Sequence, residues 1–261
     1  MNEPEYQRMY RLEDSYWWFA GRRQLVESLI ARFAPSTQAG RSILLDVGCG
    51  TGAMSFAMQR WGHVVSLDFT HLALQFAARR GLSGMLQADA LAIPLKSESV
   101  DVVVALDVLE HLPHDRPAVD EFMRVLRPGG VVVATVPADP RLWSEHDVAL
   151  MHYRRYRIAE VGSLFGDAGF VWRKLAHCMT LLYPVVRVQR TLSARRPPND
   201  PPQAALPMVP PFVNNLLRGI LWAENKVAER VRLPFGLTIV CVVQKPQSTV
   251  SGLAAPQTPS A

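Results

Sequence analysis

Residues 44–52 read Leu-Leu-Asp-Val-Gly-Cys-Gly-Thr-Gly. Glycines at 48, 50 and 52, directly after an apolar run, permit positive φ and let a ligand reach the main chain. With a helix opening at Ala53, unpaired N–H groups face that ligand and favour a carboxylate or phosphate. Spacing alone leaves the ligand open, because Gly48-x-Gly50-x-x-Ala53 also satisfies the dinucleotide fingerprint. Further along, His111 follows a valine-rich run, and its neutral imidazole can accept a proton near neutral pH. Glu110 is a lesser candidate for the same task. A loop spanning 143–156 holds His146 and His152 as alternative bases. It also holds Tyr153, Arg154 and Arg155, whose guanidinium pair could clamp a phosphate or carboxylate. The alternative is that these arginines pair with nearby acids. No HxxxH or HxH spacing occurs, so no metal site is expected. Cys49, Cys178 and Cys241 lack CxxC spacing and read as ordinary reduced thiols.

Positioning these groups requires an alternation of strands and helices. Apolar runs at 43–47, 63–67, 100–106 and 131–136, with a weak one at 85–88, predict strands, with helices at 53–61, 72–80 and 119–126 between them. Continuous β-branched runs separated by helices imply a parallel sheet covered on both faces. A helix over 158–168, a strand from 170 to about 175 and a last strand at 237–243 complete the pattern. Residues 1–36 read as helical and end near Pro35.

The 261 residues, 49% hydrophobic and 20% charged, suffice for a folded domain with one elaboration. The polar start carries no secretory signal, and no run approaches the ~18 apolar residues of a spanning helix. A cytoplasmic protein is expected. The net charge is +5, and between Cys178 and Phe235 eight basic residues face three acidic ones, so this segment holds the whole excess.

Taken together, the motifs resemble the class I S-adenosylmethionine-dependent methyltransferases, within the type 11 and ubiquinone-biosynthesis-like branch. LLDVGCGTG is similar to that family's first motif. Asp68 ends the second strand, Asp89-Ala90 follows the third, and residues 95–103 resemble the entry to strand four. Asp107-Val108-Leu109-Glu110-His111-Leu112 is similar to the segment after strand four, and Leu126-Arg127-Pro128-Gly129-Gly130 to the turn before strand five. The resemblance implies a Rossmann-like seven-stranded α/β sheet, mostly parallel with its last strand antiparallel and helices on both faces. It further implies S-adenosyl-L-methionine as cofactor. Asp46, Gly48, Cys49, Gly50, Thr51 and Gly52 would hold the methionine moiety and Asp68 the ribose. Phe69 would line the adenine pocket, Asp89 and Ala90 would read the adenine edge, and the Leu106 carbonyl would meet its amino group. Residues 15–23 are similar to a WWF-x-GRR element that forms a lid in a subset of bacterial members, which brings Trp18 and Arg22 to the acceptor.

The expected organisation is a helical lid over 1–36, a core of 37–177 plus 236–245, a helical and Pro-rich insertion over 178–235, and a disordered tail over 246–261. In the insertion, Val213, Leu216, Leu217, Ile220, Leu221 and Val227 form one apolar helical stripe. With its arginines, this segment is expected to touch an anionic membrane or cover a lipid-like acceptor. The expected reaction is O- or C-methylation of a small-molecule or lipid-linked acceptor, with no nucleic-acid partner. An NAD(P)-dependent oxidoreductase on the same glycine loop and a catalytically inactive cofactor-binding protein are the competing readings.

Overall fold

A computed structural model describes residues 3–35, 42–193, 208–228, 231 and 233–247. Seven strands form one sheet: β1 (Ser42–Val47), β2 (Gly62–Asp68), β3 (Met85–Gln87), β4 (Val100–Leu106), β5 (Leu126–Pro137), β6 (Val171–Cys178) and β7 (Thr238–Gln244). Their order is β3-β2-β1-β4-β5-β7-β6. The first five pair in parallel, and β7 runs antiparallel to both of its neighbours. All-parallel central strands need cover on both faces, which explains why β4 is buried from Val100 to Ala105.

Alternation along the strands divides the core into two layers. On one face Val132, Ala134 and Val136 of β5 meet Phe122 of α5 (Arg116–Val125) and Phe165 of α7 (Ile158–Gly166). On the other, Val131 and Val133 meet Leu25, Val26, Leu29 and Ile30 of α2 (Trp17–Phe33), along with Met54 and Met58 of α3 (Ala53–Met58). The second half of α2 is therefore core cover. The expected boundary at residue 36 isolates as a lid a helix that the sheet needs for its own burial.

Two further helices lie between β6 and β7: α8 (Tyr183–Ser193) and α9 (Pro211–Ala228). The apolar stripe expected on α9 is only half right. Leu221 is buried and Val213, Leu217 and Ile220 are partly buried, but Leu216 and Val227 face outward, while Glu224 and Asn225 are buried. Polar satisfaction accounts for the rotation. Glu224 accepts the Thr180 and Leu181 N–H groups at 2.8 and 3.0 Å, and Asn225 donates to the Gly21 carbonyl at 3.0 Å. Most of the Pro-rich stretch, Arg195, Arg196, Arg230 and Arg232, and the tail beyond residue 247 lie outside the described residues.

Candidate active site

Parallel strands send their carboxyl ends to one edge, so the loops after β1 to β5 converge there. The β1 loop is built for close approach. Gly48, Gly50 and Gly52 take φ of 67°, 55° and 85°, a region where side chains other than glycine are strained. A Cβ at Gly48 would stand 2.6 Å from Val108, and one at Gly52 would stand 3.1 Å from the Ala77 main chain. The Cys49 N–H donates to the Leu67 carbonyl at 2.9 Å, which ties the loop to the end of β2.

Asp68, at that end, accepts the Gly50 and Thr70 N–H groups, both at 2.9 Å. Asp46 lies beneath the loop and accepts the Ser55 hydroxyl at 2.6 Å. Burial raises its pKa to about 7 against that hydrogen bond, and Glu13 and Asp68 push the same way while Arg22 opposes them. Burial also raises Asp68 and Glu13. Three carboxyl groups crowded around one loop make it a poor home for an anion and a good one for a cation. Cys49 is buried, and desolvation pushes its thiol far up, so it packs and does not react.

Around the rim, Asp89 accepts the Leu91 N–H at 2.9 Å in the turn after β3, with Ala90 buried beside it. Phe69 is 72% exposed, so no protein group covers the position expected to line the adenine pocket. Leu106 is partly exposed where β4 ends.

The N-terminal helices roof this edge. Met9 of α1 (Glu3–Leu12) lies over Gly50, and the buried Thr51 hydroxyl donates to Glu13. Arg80 clasps Glu13 at 3.3 Å and Asp14 at 2.9 Å while donating to the Thr51 carbonyl at 2.8 Å. Arg22 pairs with Asp107, which also accepts the Thr135 hydroxyl at 2.9 Å. Trp18 packs, with Trp17, against a cluster of Leu142, Met179, Tyr183, Leu221 and Leu237. Its role here is to anchor α2.

The acceptor-side loop departs most from expectation. Arg155 is buried and donates to Asp147 at 2.7 Å and to the Ala138 carbonyl at 2.8 Å. Arg154 donates to the Leu112 carbonyl at 3.3 Å and the Pro113 carbonyl, and sits 3.5 Å from Asp115. The structure uses both guanidinium groups inside the protein, so the expected anion clamp is corrected. A deeply buried Arg155 released from Asp147 would leave an unpaired charge. Tyr153 is 61% exposed, and its N–H donates to the Glu110 carbonyl at 2.8 Å. His146 is half-buried, and desolvation followed by nearby Arg190 lowers its pKa to about 4.

His111 and His152 meet edge to face, with ring centroids 4.8 Å apart. His152 Nδ1 lies 3.1 Å from Asp147, whose carboxyl is held well below the usual range by His152, Arg155 and Arg190. His111 keeps an exposed edge, but the protein packed around the rest of its ring, then the neighbouring His152, pushes it down to about 4, which keeps it neutral near pH 7. Glu110, His111 and His152 present one ligand atom each within 4.8 Å of one another. The expectation of no metal site considered sequence spacing only and could not register this grouping of Glu110 and His111 with a residue 41 positions further on. Sequence reading also missed Asp147, Glu13 and Met9. Asp147 had a local signal in Ser144-x-x-Asp147, a capping box that the structure forms. Glu13 and Met9 had none.

Residues 45–134 match the family model described as a methyltransferase domain. A probable S-adenosylmethionine-dependent methyltransferase of Mycolicibacterium smegmatis is 32% identical over 162 residues, 60% of this chain and 60% of its own length. A ubiquinone biosynthesis O-methyltransferase of Hahella chejuensis is 33% identical over 106 residues, 38% of this chain and 44% of its own. The matched stretches thus span about half the length of these curated relatives. Among solved structures, a methyltransferase of Haloferax volcanii, determined with its Trm112 activator, superposes with a TM-score of 0.59 at 17% identity, over 94% of this chain and 95% of that one.

Proposed function

Because residues 45–134 carry a methyltransferase domain of the class I S-adenosylmethionine-dependent kind, we propose that the whole protein methylates an oxygen or carbon of a small-molecule or lipid-linked acceptor. The observation that carries this reading is one juxtaposition. A glycine loop ringed by Asp46, Asp68 and Glu13 lies beside the His111–His152 pair on one sheet edge, under the roof of α1 and α2.

The residues present fit the cofactor. The positive-φ glycines leave the main chain open to it, and the carboxyl groups of Asp46, Asp68 and Glu13 around the loop suit its positive sulfonium better than a dinucleotide's phosphates. S-adenosylmethionine supplies a methyl group on a sulfur that is already a good leaving group. The chain's share is to bind, orient and exclude water. In this reading Asp46 and Gly48–Gly52 frame the methionine moiety. Asp68, anchored by two N–H groups, keeps lone pairs for the ribose hydroxyls. Phe69, Asp89, Ala90 and the Leu106 carbonyl surround the adenine. His111, neutral at its exposed edge, receives or orients the acceptor's proton, and His152, fastened by Asp147, holds that ring in place.

Val185, Val188 and Leu192 are exposed at helical spacing on α8, with Leu181 exposed in the turn before it, and Phe212, Leu216 and Trp222 are exposed on α9. Arg187 and Arg218 stand beside them. We assign this face to an anionic lipid surface from which a lipid-linked acceptor reaches the site.

Calorimetry tests the core of the reading. S-adenosylmethionine and its demethylated product should bind while NADH gives no heat. Asp68→Ala should weaken both by about 10–100-fold, the scale of lost charge-assisted hydrogen bonds. Heat from NADH alone, or indifference to Asp68→Ala, would overturn it. Transfer of labelled methyl into a lipid and metabolite extract, with a tRNA fraction as a separate arm, identifies the acceptor class.

A further inference from the structure

Glu110 is completely enclosed, and neither carboxylate oxygen has a hydrogen-bond partner among the described residues. Proteins seldom bury a polar group this way without giving it a task. A cation brought to those oxygens would remove the imbalance.

The surroundings supply such a cation's other ligands. A nitrogen of His111 and one of His152 lie with a Glu110 oxygen inside 4.8 Å. Around a tetrahedral zinc, bonds of about 2.0–2.2 Å place ligand atoms about 3.4 Å apart, so a contraction of at most about 1.4 Å closes the set. His152 already has the outer partner that metal-bound histidines use. Its Nδ1 faces Asp147 at 3.1 Å, and Asp147 is fixed in turn by Arg155 at 2.7 Å and Arg190 at 3.2 Å. An ionised Asp147 takes the Nδ1 proton as a hydrogen bond, which leaves Nε2 with its lone pair free. The main chain is strained on both sides of the cluster, at Asp107 with φ 53° and at Met151 with φ 58°. Such strain persists where the surrounding structure demands a particular placement.

We propose that Glu110, His111 and His152 bind a divalent cation of the zinc type, with an open position turned toward the methyl acceptor. Two imidazoles and one carboxylate with a vacant fourth place is a donor set suited to catalysis. The proposal rests on the methyltransferase reading and deepens it: with the cation bound, His111 is its ligand and no longer the proton acceptor, and the acceptor atom must be an oxygen able to coordinate, such as a phenol, an enol or a hydroxyl beside a carbonyl. On coordination the O–H proton passes to solvent, as the cation lowers its pKa. The oxygen lone pair then forms the bond to the methyl carbon, and the carbon–sulfur pair returns to sulfur as a neutral thioether. The methylated oxygen, a weaker ligand, departs.

The test uses the full chain, stripped with a chelator and titrated with zinc chloride by calorimetry, with metal content read by mass spectrometry. Wild type and His114→Ala should hold one zinc per chain. His111→Ala, Glu110→Gln and His152→Ala should each weaken binding at least as much as the 10–100-fold loss typical of removing an outer partner. Cobalt(II) should give the intense visible bands of a low-coordinate site, and these should vanish in His111→Ala. His111 is exposed, so that variant stays folded even where the buried substitutions fail. S-adenosylmethionine heats measured in parallel separate the two readings. Cofactor binding without zinc, or zinc binding unchanged in His111→Ala and His152→Ala, overturns the metal site and leaves the methyltransferase. Zinc binding that depends on these residues, without cofactor heat, does the reverse.

Discussion

Asp46 connects buried charge to a measurable preference. With a pKa of about 7 it is largely protonated below that pH and ionised above it. A ligand carrying a sulfonium binds better to the ionised form, so affinity for S-adenosylmethionine should fall as pH drops from 8 to 6. The demethylated product lacks that charge, so its affinity should change less over the same range. Calorimetry of both ligands across that range checks the sign, and Asp46→Asn should flatten the difference. At His111, substitution by alanine should lower kcat by about 100–10,000-fold, the usual scale of a proton-transfer group. S-adenosylmethionine affinity should stay within about twofold, because His111 belongs to the acceptor side. The two arginines of the acceptor loop show where residue-level reading stops. Arg154 and Arg155 carry the right chemistry for an anion, but whether a guanidinium is available depends on which carboxylates and carbonyls the fold brings to it. Here Asp147 and the Leu112, Pro113 and Ala138 carbonyls occupy both.

Between elements, the decisive contact is the crossing of α2 and α9. Gly21 lies against Leu221 so closely that a Cβ would stand 2.6 Å from Leu221 Cδ1 and 3.1 Å from its Cβ. Asn214 of α9 accepts the Trp17 N–H at 2.8 Å, and about three turns further along the helix Asn225 donates to the Gly21 carbonyl. Gly21→Ala should therefore destabilise the protein by about 1–3 kcal/mol, the cost of overpacking a tight site. Thermal unfolding would register it. Because Arg22 is the next residue and pairs with Asp107, the same variant should also weaken cofactor affinity, and unchanged affinity would argue against the roof. Helix existence was legible along α9 from its periodicity, but helix rotation was not. The apolar pattern tolerated a turn of the stripe, and Glu224 and Asn225 chose the inward face because main-chain groups of residues 180, 181 and 21 needed partners there.

For the molecule as a whole, the exposed apolar rows of α8 and α9 predict vesicle binding that composition controls. Co-sedimentation should be seen with anionic vesicles, diminish with neutral ones and with salt, and be lost in Val188→Asp/Phe212→Asp. Equal pelleting of that variant would remove the lipid assignment. No helix among the described residues is long and apolar enough to cross a membrane. The sequence by itself determined the parallel core, the glycine turn and the acid ending β2, while the antiparallel last strand followed only from the family resemblance. The first three are written locally, in the period of apolar residues or in the glycines and acid of a single turn. Tertiary structure alone decided that α2 covers the sheet, that the loop arginines are spent, and that Glu110 and His111 stand beside His152. Those outcomes depend on contacts between residues tens or hundreds of positions apart, and burial and polar pairing across such distances leave no mark on the spacing of neighbours along the chain.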